Sequence, residues 1–164
     1  MRHQRSVVAA VVVVASLSTV AGSQPPDVAG TWEYRQANRA RPDGLDAEGE
    51  RLVVVRHADG RQTGHYFGLE RTGDHGLLYT AVDLGPLLVG LDGRIAFTVP
   101  ARTLYRSRPP SLAGAARLPS AGRTTEVLAF SGRIAGSTLL LTCTSAPGAC
   151  PDSRLVFRRV VAAR

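Results

Sequence analysis

No stretch of this chain keeps a helical hydrophobic period for more than a turn or two, while tight-turn signals recur along its length. That combination constrains the fold more than any other feature. Short alternating segments separated by Gly, Asp and Pro must pair with one another, because a lone strand meets none of its backbone donors and acceptors within itself. Asp59-Gly60 and Asp92-Gly93 have the hairpin signature, since Asp-Gly suits the positive φ angles of a two-residue turn. Arg94–Val99 alternates cleanly, with Ile95, Phe97 and Val99 on one face. Gln62–Arg71 places Thr63, His65, Phe67 and Leu69 on one face, and Gly64 and Gly68 on the other.

Taken in order, strands are expected at Thr31–Ala37, Arg51–His57, Gln62–Arg71, Leu77–Asp83, Arg94–Val99, Thr124–Phe130, Ile134–Thr144 and Ser153–Val160. Leu84–Leu91 is apolar but broken by Gly85-Pro86 and Gly90, and reads as a short strand or a lid-like loop. Asn38–Glu50 reads as a polar loop, and Ser131-Gly132-Arg133 as a turn. Ala101–Arg123 is the irregular part, with Pro109, Pro110, Pro119 and five arginines. Within it, Leu112–Leu118 is the best helical candidate. Eight or nine antiparallel strands joined mainly by tight turns make an all-β meander. Closing it into a barrel would leave no exposed edge.

The N-terminus has the three-part plan of a secretory signal. Arg2 and Arg5 precede the apolar run Val7–Leu17, and Thr19 and Ala21 occupy the positions before a cut. The expected organisation is a signal peptide over 1–21, an exposed leader over 22–28 and a barrel domain over 29–161. The protein is then secreted or periplasmic, with no stable membrane insertion after cleavage, because the run is short for a bilayer span. Cys143 and Cys150 flank a turn-rich loop. In an exported chain this spacing favours a disulfide, worth roughly 2.5 kcal/mol in the chain-entropy treatment.

Charge excludes little. Every one of the 20 basic residues is arginine, against 13 acids. Those charges are interspersed and aromatics are few, so a nucleic-acid partner is not expected. The one dense cluster before the C-terminus, Arg102, Arg106 and Arg108 with Tyr105, reads as a solvated loop, with an anionic partner as the sharper alternative. His57, His65 and His75, with Asp59 and Asp74, lie near the central hairpins and read as rim residues, not as metal ligands or a catalytic group. No nucleophile elbow and no phosphate loop is present, so neither an enzyme activity nor a cofactor is expected.

Gly30-x-Trp32 on the first strand, with Leu155-x-Phe157-x-Arg159 on the last, resembles the lipocalin-like (calycin) pattern. The resemblance implies that Trp32 packs inside one end of a barrel. Arg159 would lie across its ring and bond nearby main-chain carbonyls, with Gly30, Trp32 and Arg159 all structural. It implies a non-catalytic protein that binds a small apolar ligand or a partner protein. Tyr34, Phe67, Tyr79, Phe97 and Leu140 are the expected lining residues, and a filled interior is the competing expectation. Small exported barrels of the bacterial metalloprotease-inhibitor type also begin with a Gly-x-Trp strand. An inhibitor of a secreted protease, acting through the Ser23–Asp27 leader or the proline-rich loop, is therefore the alternative.

Overall fold

The computed structural model describes residues 26–35, 49–72, 76–145, 150 and 154–160. Residues 1–21, where a signal peptide is expected, most of the expected leader and residues 36–48 lie outside these residues. The described chain is all-β. Its strands are β1 (Gly30–Tyr34), β2 (Glu50–Arg56), β3 (Gln62–Thr72), β4 (Gly76–Pro86), β5 (Leu88–Val89), β6 (Arg94–Val99), β7 (Thr103–Tyr105), β8 (Ser120–Arg123), β9 (Leu128–Ala135), β10 (Thr138–Cys143) and β11 (Arg154–Arg159). One short helix, α1 (Leu112–Ala115), lies between β7 and β8. The Ser111 hydroxyl caps it by accepting from the Gly114 N–H.

All pairings are antiparallel and form one sheet in the order β5-β6-β9-β10-β11-β1-β2-β3-β4-β7-β8. The first and last strands of the chain are neighbours, with Trp32 opposite Arg159 and Glu33 opposite Arg158. The count corrects the expected eight or nine strands to eleven. The order also has two ends, so the sheet is a curled half-barrel. The extra strands come from the segment that reads as irregular. Residues 101–123 fold as β7, α1 and β8 and attach to β4 through Tyr79 and Tyr105.

The Asp59-Gly60 and Asp92-Gly93 turns form as the sequence dictates. Gly60 and Gly93 have φ of +82° and +80°, and each aspartate accepts from the backbone N–H two residues on. The turn expected at Ser131-Gly132-Arg133 is corrected: those residues lie inside β9, and the reversal comes at Gly136, with φ +60°. Gly132 is there because the strands approach closely. A Cβ at this position would sit 1.9 Å from the Leu140 carbonyl oxygen.

Leu87 bends the chain between β4 and β5. Ahead of the bend, β4 shifts register opposite Gly64 and His65 and passes through Gly85 at φ +64°. The pairs Leu88–Ala96 and Val89–Ile95 at one end, and Tyr79–Tyr105 at the other, belong to a single antiparallel register. Between them, residues 80–87 and 97–104 share no ladder. Pro86 and Pro100, which carry no N–H, stand in this gap.

Inside the curl, Trp32, Leu52, Val54, Ile95, Val99, Leu139, Leu141, Leu155 and Phe157 are buried together. The end of the leader joins them, which corrects the expectation that it is exposed: Val28 is only 1% exposed. Its N–H donates to the Gln62 side chain, whose amide donates in turn to the Pro26 carbonyl.

Candidate functional site

Three places combine chemistry with position. The first is the end of the curl at β1 and β11. Trp32 is fully buried, and its indole N–H donates to the Val28 carbonyl at 3.0 Å. Arg159 lies over the ring, its guanidinium carbon 4.6 Å from the ring centroid, and donates to the Asp27 carbonyl at 3.1 Å. Gly30 sits beside this pair with φ of +132°, and a Cβ there would touch the Arg159 side chain. Every contact of this group is internal, so it braces the fold and leaves nothing reactive exposed.

The second is a polar cluster on the inward face of β2, β3 and β4. Alternation turns Glu50, Tyr66, Glu70 and Thr80 to that face. The Tyr66 hydroxyl donates to a Glu50 carboxylate oxygen at 2.6 Å. The Arg102 guanidinium pairs with Glu70 and also donates to the Glu126 carbonyl at 3.3 Å. Burial pushes the Tyr66 phenol well above its ordinary range, and the nearby Glu50 carboxylate pushes it further. Thr80 Oγ1 and Arg102 Nε are buried without a hydrogen-bond partner among the described residues. Tyr66 therefore stays neutral, and the cluster ties β3 to the segment that leads into β9. The sequence places Arg102 in a solvated loop. The structure buries it to 5% exposure, while Arg106 stays exposed and Arg108 donates to the Gly49 carbonyl.

The third is a groove of about 370 Å³ where the chain bends around Leu87. Its floor holds the small residues Ala96, Thr98, Ala129 and Ser131, paired in register as Ala96–Ser131 and Thr98–Ala129. Leu84, Pro86 and Leu88 wall one side, and Leu88 is 74% exposed. Among the described residues no charged side chain lines the groove. The Thr144 hydroxyl is engaged with the Ala129 carbonyl; those of Thr98 and Ser131 have no partner among the described residues.

The expected lining residues do not share one cavity. Tyr34 packs against the core, 5.7 Å from Phe157 between ring centroids, and Phe97 stacks on Phe130 at 5.3 Å. Phe67, Tyr79 and Leu140 are corrected to the other face of the sheet. Phe67 lies beneath the Arg51 guanidinium, Tyr79 stands opposite Tyr105, and Leu140 alternates with the buried Leu139 and Leu141. In β3 the inward aromatic is Tyr66. Gly68 shares its face because the ring needs the room: a Cβ there would come within 2.6 Å of it. The paired adjacency Tyr66-Phe67 leaves the choice of face open in the sequence, and the glycines were the signal that decides it.

His57 bonds the Thr63 hydroxyl at 2.9 Å, and Asp59 pairs with Arg61, which holds the carboxyl below its usual range. His65 stands between Val53 and Asp83 in the ladder. His75 and Asp74 lie outside the described residues. Among the described residues no group of three metal-binding side chains comes together, and no helix is long and apolar enough to cross a membrane. Cys143 and Cys150 are joined as a disulfide. No family model, curated protein or solved structure matches this chain.

Proposed function

We propose that this is an exported, non-catalytic binding protein of lipocalin-like type, and that its ligand is a small apolar molecule held in the groove beside Leu87. The observation that carries the reading is an uncharged groove of about 370 Å³ in a chain with 20 arginines and 13 acids. Its volume falls in the range of small-molecule sites. The unpartnered hydroxyls of Thr98 and Ser131 offer hydrogen bonds to one polar group, and Leu84, Pro86 and Leu88 offer apolar contact. The common register of β4–β5 with β6–β7 supports closure of the sheet into a barrel at this seam. The buried Trp32–Arg159 contact and the pairing of the terminal strands support the lipocalin-like assignment. The disulfide supports an oxidising compartment.

The inhibitor alternative has less support. The proline-rich segment it would present is folded back onto β4 as β7, α1 and β8.

The test is a fluorescence titration with the neutral probe N-phenylnaphthylamine. The wild-type chain is expected to bind it, and Ala129→Trp, which fills the groove floor from the outer face, to abolish binding without lowering Tm. Equal binding by both proteins would refute the site, and no binding by the wild type would refute the reading.

A further inference from the structure

A second pocket, of about 320 Å³, opens where β1 meets β11, and it differs from the groove in being charged. It is lined by Glu33, Arg35, Val156, Arg158, Arg159 and Val160. Alternation turns the side chains of Glu33, Arg35, Val156, Arg158 and Val160 to the outer face, so the guanidinium groups of Arg35 and Arg158 face one carboxylate. Glu33 approaches Arg35 at 3.7 Å, with both side chains more than a third exposed, so that carboxylate offsets one cation only weakly. Arg158 stands opposite Glu33 in register, yet it forms no ion pair among the described residues. Arg159 borders the pocket through the strand alone, because its side chain turns to the inner face over Trp32. Val156 and Val160 add an apolar wall, exposed by 39% and 44%.

We infer that this pocket binds a small organic anion, a carboxylate or a phosphate, whose apolar body lies against Val156 and Val160. Guanidinium groups hold either head through paired charge-assisted hydrogen bonds. The excess of positive charge selects an anion over a neutral molecule of equal size, and the valines select one with a hydrocarbon body over a bare inorganic ion. The site is independent of the groove at Leu87, with which it shares no lining residue.

The test is an NMR titration of the full chain with benzoate, phenyl phosphate and the neutral benzyl alcohol. At least one anion is expected to shift the backbone amides of Glu33, Val156 and Val160, and benzyl alcohol is not. Arg158→Gln should weaken anion binding about tenfold, the equivalent of one charge-assisted hydrogen bond. Its Tm should not change, because Arg158 is exposed. Glu33→Gln should tighten binding, because it removes the competing carboxylate. Preference for benzoate assigns a carboxylate ligand, and preference for phenyl phosphate a phosphate. No response to either anion, an equal response to benzyl alcohol, or unchanged affinity in Arg158→Gln overturns the inference. Ala129→Trp leaves this site intact, so its failure and that of the groove are read separately.

Discussion

Replacing Trp32 by leucine and Arg159 by methionine, singly and together, measures what holds the first and last strands in place. Trp32 has no exposed surface, so Trp32→Leu removes ring volume that the core cannot refill and leaves a cavity. It also strips the Val28 carbonyl, itself buried, of the indole N–H at 3.0 Å. A cavity term of about 2–3 kcal/mol and an orphaned acceptor worth about 1–2 kcal/mol give an expected loss of about 3–5 kcal/mol. Arg159→Met keeps the aliphatic stem on the ring and removes the charge. It forfeits the cation–π contact and the bond to the Asp27 carbonyl, about 2–3 kcal/mol together. The two losses share the stacked contact, so the double mutant should fall short of their sum by about 1–2 kcal/mol. The assay is urea unfolding of the oxidised protein followed by far-ultraviolet circular dichroism, because Trp32 is the only tryptophan. A loss below about 0.5 kcal/mol for Trp32→Leu, or additive single losses within the usual scatter of about 0.3–0.5 kcal/mol, would refute the coupling.

Tyr66→Phe should cost about 2–3 kcal/mol in the same assay, because it removes the charge-assisted hydrogen bond of 2.6 Å from the phenol to the Glu50 carboxylate, which is 5% exposed. The wild-type phenol binds its proton more tightly folded than unfolded. Its share of stability is therefore complete below the ordinary tyrosine value of 10.0 and falls as pH rises beyond it. Urea midpoints measured across that alkaline range should fall more steeply for wild type than for Tyr66→Phe; parallel curves would show that the phenol titrates normally. Gly132→Ala should be among the most damaging single-methyl additions, above about 3 kcal/mol, since the clash is with backbone and no rotamer relieves it. A variant within 1 kcal/mol of wild type would place the β9–β10 pairing in a different register.

The parts legible in the sequence are those decided locally. Asp59-Gly60 and Asp92-Gly93 specify their turns without reference to the rest of the chain, and Leu155, Phe157 and Arg159 alternate on a strand with nothing to confuse the period. Ser131-Gly132 and Gly136-Ser137 present nearly the same local signal. What separates them is the Leu140 carbonyl, a contact across strands that no single-strand pattern contains. Residues 101–123 failed for a related reason. Strands of three and four residues, separated by proline and a one-turn helix, are too short to show a period, and only the pairing of β7 with β4 and of β8 with β7 makes them strands. The burial of Arg102 is equally invisible to a local pattern, because it depends on Glu70 and on the Glu126 carbonyl, both distant in sequence.

The same distinction bears on where function can lie. A curled sheet offers an inner and an outer face, and the sequence reading placed the ligand inside. The inner face at the Trp32 end is filled with Leu52, Leu139, Leu141 and Phe157, and the other described part of that face holds the paired charges of Glu70 and Arg102. A ligand there would have to displace close-packed side chains or break a buried ion pair, either at several kcal/mol. The outer face carries no such penalty. Small residues at Ala96, Thr98, Ala129 and Ser131 leave a depression, and the bend at Leu87 raises an apolar wall beside it. Those four residues carry no signal as single letters. They become a site only through the register that sets Ala96 against Ser131 and Thr98 against Ala129, which pairing alone determines.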